Sequence, residues 1–348
     1  MTTLSPRRSS ARPTMVDVAA EAHVSVKTVS RVVNDEAGVR EETATRVRAV
    51  IERLGFQRHD GARHLRGGRT STIGLVVEDL ANPFYSQIGA AVEREARRHQ
   101  HLLITASAEG SPTRERAVLD ALVARRLDGV IVVPAGETPT ANARAVASGT
   151  PVVYVDRPVR GPATDTVLSD NVGGVRSAVE HLVAHGHQRV GFLGDDLGFW
   201  TARQRRDAFT ATHQALRLPG QPRVGMGPHT TEGIANLLRE WTAGPQPVTA
   251  LLTGNNRITV LALHALRDTG RTLSLVGYDD FELADLVEPA VTVVHQDPGA
   301  MGQKATQQLF ARLAGDDSPP ETVVIPTRLI VRGSGTRPVA VAPSAATA

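Results

Sequence analysis

The sequence predicts two unlike parts: a small all-α helix-turn-helix head and an α/β body of two doubly wound, parallel-sheet lobes. Three observations carry this prediction. Residues 14–54 hold three amphipathic helical patterns, each with capping or stop signals. From Ile73 onward, unbroken apolar runs of strand length alternate with helix-length segments. Charge is divided between the parts, with 13 Lys+Arg against 8 Asp+Glu in residues 1–69 and 26 against 28 in the remainder. A basic head on a mildly acidic body points to a head that meets a polyanion. At 348 residues the chain has room for a small module and a large body.

Taken in order, residues 1–13 contain Arg7, Arg8 and Arg12 but no apolar run. They read as a disordered basic tail, not a secretory signal. The head occupies 14–56. Met15, Val18, Ala19 and Ala22 share one helical face, and Thr14 with Asp17 has capping-box form. After a break at His23-Val24, Ser25 is placed to cap a second helix that turns Val29, Val32 and Val33 inward. A third helix aligns Val47, Val50, Ile51 and Leu54 and stops at Gly55. Two capped helices with a short joint, closed by a third, make a helix-turn-helix.

Residues 57–70 form an Arg-rich hinge or linker with Gly61, Gly67 and Gly68. The body spans 71–335. Its strand-like runs are Ile73–Val77, Leu102–Thr105, Val130–Val133, Val152–Val155, Val190–Leu193, Ala250–Thr253 and Leu273–Gly277. Between them Tyr85–His99, Thr113–Arg125, Val172–His185 and Arg257–Thr269 read as helices. Repeated βαβ units imply right-handed crossovers and two lobes: one of about 71–167 and 297–320, the other of about 168–296 and 321–335. The Ala- and Pro-rich tail, 336–348, carries no leucine heptad, so no C-terminal oligomerisation helix is expected.

Several chemistries are set aside by composition. The chain has no cysteine, which removes disulfides, thiolate metal sites and cysteine nucleophiles. No apolar run reaches the ~18–20 residues of a membrane span. The cytoplasm is the expected compartment, with no membrane partner and no cofactor. Neither a Walker loop nor an H-E-x-x-H is present, and no Ser/His/Asp arrangement stands out, so no catalytic residue is expected. His181, His185 and His187 have metal-like spacing, but their context reads as a solvated helix end.

Chemistry concentrates first in the segment Ser25–Asn34. With Val29, Val32 and Val33 inward, the side chains of Val26, Lys27 and Arg31 remain outside, near the helix start, as a major-groove reader requires. Arg31 can grip guanine O6 and N7 in bidentate fashion, Lys27 can donate as a point charge, and Val26 can touch a thymine methyl. Ser25, Thr28, Ser30 and Asn34 are short donors suited to phosphate oxygens, which fix register without reading sequence. Thr14, at the start of the first helix, is counted with these DNA-binding residues.

These residues carry a resemblance. Thr14-Met15-Val16-Asp17-Val18-Ala19, Val24-Ser25 and Thr28-Val29-Ser30-Arg31-Val32-Val33-Asn34 resemble the head of the LacI/GalR family of bacterial repressors. The likeness continues through Leu54-Gly55-Phe56 and Ala62-Arg63-His64-Leu65, then Asn82-Pro83-Phe84-Tyr85, Asp156-Arg157 and Gly277-Tyr278-Asp279-Asp280. It covers roughly residues 14–335. It implies lobes of periplasmic-binding-protein type and a homodimer paired through its bodies, with two heads on a near-palindromic double-stranded operator. It also implies that Leu65, at the end of a hinge helix of about 58–65, wedges into the minor groove, where a linker leucine packed on the body is the other reading.

Departures from the family pattern are informative. His23 stands where the tight turn commonly has glycine, and Arg40 where a cap serine is usual. Arg58-His59 replace the usual Pro-Asn of the hinge, and Gly61 weakens that helix further. The hinge is therefore expected to order only on DNA.

A small-molecule site is expected between the lobes, at the carboxyl ends of the strands. Phe84, Asp156, Asn255 and Asp279 follow strands, Arg203 opens a helix, and Gln296 lies on a crossover. The resemblance makes these six the effector-binding residues, with a carbohydrate as the expected effector. Trp200 is an additional stacking candidate. Asp279 and Asn255 also fit ordinary turn and helix-cap roles. Where the family has Asn-Asp, this chain has Asn255-Asn256. Effector binding is expected to change lobe closure and thereby operator affinity. The rival class is a ligand binder of periplasmic type without specific DNA recognition, which would lack the head.

Overall fold

The computed structural model describes residues 13–56, 70–138, 149–161 and 163–336. The chain falls into two units, residues 1–68 and 69–348, each taken by itself below.

The head comprises α1 (Met15–Glu21), α2 (Val26–Val33) and α3 (Glu41–Leu54). The capping box forms: Thr14 N donates to the Asp17 carboxylate at 2.8 Å and Asp17 N donates back to Thr14 Oγ1 at 3.4 Å. Ser25 Oγ accepts from Thr28 N at 3.1 Å and so starts α2. Val18, Ala22, Val29, Val47 and Val50 close a small core, with Phe56 beneath it. Val33 is only half-buried at its edge. The turn between α1 and α2 places His23 at φ 55°, a left-handed conformation that a non-glycine residue adopts under strain. Arg40 makes no side-chain cap bond at the start of α3, so that end is satisfied less well than the other two.

The body holds two six-stranded sheets. The first contains β1 (Thr72–Val77), β2 (Leu102–Ser107), β3 (Gly129–Val132), β4 (Val152–Val155), β5 (Thr166–Ser169) and β11 (Thr322–Ile325). Its helices are α4 (Pro83–Arg98), α5 (Pro112–Ala124) and α10 (Pro298–Leu313). The second sheet contains β6 (Val190–Leu193), β7 (Arg223–Gly225), β8 (Ala250–Thr253), β9 (Ser274–Tyr278), β10 (Thr292–His295) and β12 (Arg328–Ile330). Its helices are α6 (Asn171–Ala184), α7 (Trp200–Ala215), α8 (Thr231–Trp241) and α9 (Asn256–Thr269).

Both sheets share one order, β2-β1-β3-β4-β5-β11 and β7-β6-β8-β9-β10-β12. All described pairings are parallel except β10 with β12. The central strands are buried along their whole length, which their continuous apolar sequence requires. In the first lobe α4 and α10 cover one face, around Ile88, Val92, Met301 and Leu309, and α5 covers the other around Leu119 and Leu122. The second lobe divides likewise between α8 with α9 and α6 with α7.

The expected lobe boundaries at 167/168 and 320/321 are corrected. β5 runs on to Ser169, and Thr322–Ile325 pairs beside it in parallel, so both segments complete the first sheet. The chain therefore crosses between lobes at Asp170, at Gln296-Asp297 and at Pro326-Thr327. Among the described residues, no helix is long and apolar enough to cross a membrane.

Candidate functional site

Two surfaces hold the residues singled out above, one in each unit. On α2 the inward valines fix which residues face out. Val26 is 44% exposed, Lys27 is exposed and Arg31 is half-buried, with its guanidinium beside Gly38. Among the described residues neither Lys27 nor Arg31 is in an ion pair, whereas Arg48 and Arg53 on α3 both are. Lys27 in the first turn of α2 and Arg31 in its last turn, both outside any ion pair among the described residues, suit a polyanionic partner. The short polar residues are already engaged: Thr14 Oγ1 donates to Asp17 at 2.6 Å, Ser25 Oγ lies 2.9 Å from Thr28 Oγ1, and Asn34 Nδ2 donates to Ser30 Oγ at 3.3 Å. Their first job is to hold the helix ends. Leu65 and the expected hinge helix lie outside the described residues.

In the body a cavity of about 250 Å³ opens between the lobes. Parallel strands deliver their carboxyl ends to it, beside the points where strand order reverses at β1/β3 and β6/β8. Each lobe contributes equivalent acids. Glu78 follows β1 and Asp195 lies just beyond β6; Asp156 follows β4 and Asp279 follows β9. Asp156 and Asp279 both sit in the left-handed region, at φ 71° and 65°, which Asp tolerates better than most residues. Their backbone N–H groups donate across to Val167 O at 2.8 Å and Val294 O at 2.9 Å, turning each carboxylate out of its sheet and into the cavity.

Arginines face these acids. Arg157 pairs with Glu78, donates to Tyr85 Oη at 2.9 Å, and stacks its guanidinium 4.4 Å from the centre of the Phe199 ring. Arg205 donates to Asn171 Oδ1 at 2.7 Å and Gly254 O at 2.6 Å, and lies over Tyr278. Burial nevertheless dominates at the carboxylates. It pushes Asp156 up to about 6 against the opposing pull of Arg157 and Arg205. Asp279 is raised by the same cause against Arg205 and its Gln296 hydrogen bond, and Asp195 is raised as well.

Five of the six expected effector residues, Phe84, Asp156, Asn255, Asp279 and Gln296, line this cavity. Asn255 caps α9 through Ile258 N at 2.8 Å, the ordinary helix-cap role, and also donates to Asp195 at 2.7 Å while lining the cavity. Gln296 donates to Asp279 from the crossover. Arg203 is a correction: its guanidinium turns to Leu197 O and to Glu137, outside the cavity lining. The helix rotates 200° between positions 203 and 205, and Arg205 takes the inward place. Thr201, Ala202, Arg205, Ala208, Phe209, Thr212 and His213 form the buried stripe of α7, so an arginine in phase with Ala202, Ala208 and Phe209 was the signal available. Trp200 is likewise outside the lining, and its neighbour Phe199 supplies the ring.

His187 is a second correction. It is 1% exposed, with Nδ1 3.0 Å from Thr249 Oγ1, so it is no part of a solvated helix end. His181 and His185 pack ring on ring nearby at 4.4 Å. Among the described residues no cluster of three metal-ligating side chains forms.

The lobes also touch directly. Asn256 Nδ2 donates to Asn82 Oδ1 at 2.9 Å, and Arg257 pairs with Asp79. The departure at Asn256 is thus an interlobe contact at the rim of the cleft.

Comparison with known proteins gives the following. A family profile for bacterial regulatory proteins, lacI family, matches residues 14–59, and one for a periplasmic binding protein-like domain matches residues 179–335. The HTH-type transcriptional regulator PtxS of Pseudomonas putida is 32% identical over 337 residues, covering 94% of this chain and 98% of that protein. The solved structure of the lac repressor dimer bound to operator and the anti-inducer ONPF superposes with a TM-score of 0.81 at 26% identity, covering 94% of this chain and all of that one. The transcriptional regulator CelR in complex with cellobiose gives a TM-score of 0.68 at 28% identity, covering 93% of this chain and all of that one.

Proposed function

The chain belongs to the lacI family of bacterial regulatory proteins, and we propose that it is a repressor whose hold on operator DNA is set by a neutral carbohydrate in the interlobe cleft. In this reading a homodimer presents two heads to the half-sites of a near-palindromic operator in the cytoplasm. Val26, Lys27 and Arg31 read base edges, and the capping residues Thr14, Ser25, Thr28, Ser30 and Asn34 meet the backbone. Leu65 wedges at the operator centre, where inserting an apolar side chain kinks the duplex.

The observation that carries the effector assignment is a pair of buried acceptors. Asp156 Oδ1 and Gln296 Oε1 have no hydrogen-bond partner although they border the cavity. A buried acceptor left unmatched is costly, and a hydroxyl is the donor that matches it. With Glu78, Asp156, Asp195 and Asp279 around the cavity, a polyhydroxyl ligand without negative charge fits best. Phe84 and Phe199 offer apolar faces for its carbons. The lac repressor neighbour is bound to the anti-inducer ONPF and the CelR neighbour to cellobiose, and the second ligand is of this class.

Closing the lobes on such a ligand changes where the first lobe stands relative to the second, and so the spacing of the two hinges. Coupling of this kind is typically worth ~1–3 kcal/mol. Titration calorimetry against neutral pentoses, hexoses and disaccharides, with the corresponding sugar acids alongside, tests the assignment. A neutral sugar should bind and bind at least about tenfold more weakly to Asp279→Asn. Binding of sugar acids alone, or of a neutral sugar indifferent to that change, would contradict it.

A further inference from the structure

A second cavity, of about 340 Å³, lies in the second lobe at the opposite end of its sheet. It opens at the amino ends of β6 and β7, whereas the interlobe cleft gathers the carboxyl ends. Its chemistry is the reverse of the cleft's. Arg189, Arg223 and His213 line it, and no carboxylate does.

Two of those groups are uncommitted. Arg223 begins β7, is exposed, and its guanidinium has no hydrogen-bond or ion-pair partner among the described residues. His213, in the last turn of α7, is 4% exposed, yet its ring makes no hydrogen bond among the described residues. Burial holds its imidazole below the ordinary histidine range. Arg189 is half-buried and fixed by one bond, Nε to Pro247 O at 2.9 Å, which leaves the rest of its fork for another acceptor. Val190 and Val248 give the same cavity an apolar wall.

Cations gathered on one hollow with no carboxylate between them are left unneutralised and favour an anion there. Here a partly desolvated guanidinium, a free guanidinium and a buried imidazole line one hollow. Two planar forks and a ring nitrogen match the several oxygens of a phosphate monoester, which arginine recognises in bidentate geometry. The valine wall would take the carbon skeleton. We propose that this cavity is a binding site for a small organic phosphate, separate from the interlobe cleft and read by the second lobe alone.

The test is calorimetric titration of the full-length protein with sn-glycerol 3-phosphate at constant chloride, with glycerol and glycerate as the uncharged and carboxylate counterparts. The expected result is saturable binding of glycerol 3-phosphate in preference to either counterpart. Arg223→Gln should weaken it about tenfold or more, since one charge-assisted contact is removed. Arg223 is an exposed residue at the start of an edge strand, so its replacement leaves the core of the lobe in place. Asp279→Asn should leave the phosphate affinity where it was. Absence of glycerol 3-phosphate binding would overturn the proposal, as would preference for glycerate or equal affinity in Arg223→Gln. Loss on Asp279→Asn would place the phosphate in the cleft, and would overturn it too.

Discussion

Asp156 and Asp279 occupy matching places in the two lobes, each at a strand end, each in left-handed backbone and each buried. Their burial carries a consequence for stability. Asp156 is raised from the ordinary 3.8 to about 6 in the folded chain. Between those values the folded state holds a proton that the unfolded chain has released, so stability falls as pH rises through that window. Asp279 and Asp195 act in the same direction. Carboxylates held low by arginine, such as Asp165 and Asp280, respond only at or below their ordinary range. His181, His213 and His295, held low by burial, act in the opposite direction as pH falls toward 5. The Asp156 contribution is therefore read by difference: Asp156→Asn, which tolerates the same backbone, should lose melting temperature relative to the parent at pH 5 more than at pH 7. A slope unchanged by Asp156→Asn would show that the carboxylate does not carry it.

At the head, Arg31→Ala should lower affinity for the preferred site by about 1–3 kcal/mol and relax base preference at one position. Competition titrations with single-base variants distinguish this from an equal loss on every sequence, which would make Arg31 a phosphate contact. Residue-level legibility was uneven. Asp156 and Asp279 could be read because they end apolar strands. Arg205 was missed for Arg203 because the phase of a helix cannot be set from its first turn alone. Asp195 and Glu78 follow their strands too, but an acid after a strand is also an ordinary turn residue.

Among elements, unbroken apolar runs and well-capped helices were legible: the four-residue β3, β4, β6 and β8 could be read, whereas the sixteen-residue α7 and α10 were not among the helices delimited from sequence. Helices α4, α5, α6 and α9 begin within two residues of their expected starts; α4 and α5 carry Pro at their first helical position behind Asn82 and Ser111 caps. Strands β5, β7, β10, β11 and β12 are three or four residues long and start on Thr or Arg, so they lack the all-apolar run that marks the equally short β4. That is also why the lobe boundaries moved, since β5 and β11 recognise each other across more than a hundred and fifty residues. The caps make their own prediction. Arg40→Ser supplies the missing acceptor at the start of α3 and should stabilise the head by about 0.5–1 kcal/mol. Ser25→Ala should destabilise it by about 1 kcal/mol. Urea titration of the full chain, followed at the head's transition, checks both, and an unchanged midpoint in either variant would contradict the capping account.

At the scale of the molecule, the division into a basic head and a two-lobed body was visible in charge and in the change of hydrophobic period near Ile73. The matching strand order of the lobes was not, because order depends on which strands pair and not on what each contains. The same order places two switch points face to face, and the cleft follows from that topology together with three crossings of the chain. Contacts such as Asn256 to Asn82 and Arg257 to Asp79 join the lobes at the rim, where closure would be sensed.

The central claim is that the head reads sequence and does not merely bind phosphate. Selection of sheared genomic DNA on the full-length protein, followed by sequencing of the bound fragments at physiological salt, tests it most directly. A near-palindrome of two half-sites about a deformable central step is expected, with one position of each half-site made degenerate when Arg31→Ala is used. Retention of fragments without a common motif, weakening uniformly as salt is raised, would contradict it and leave the head a non-specific polyanion binder.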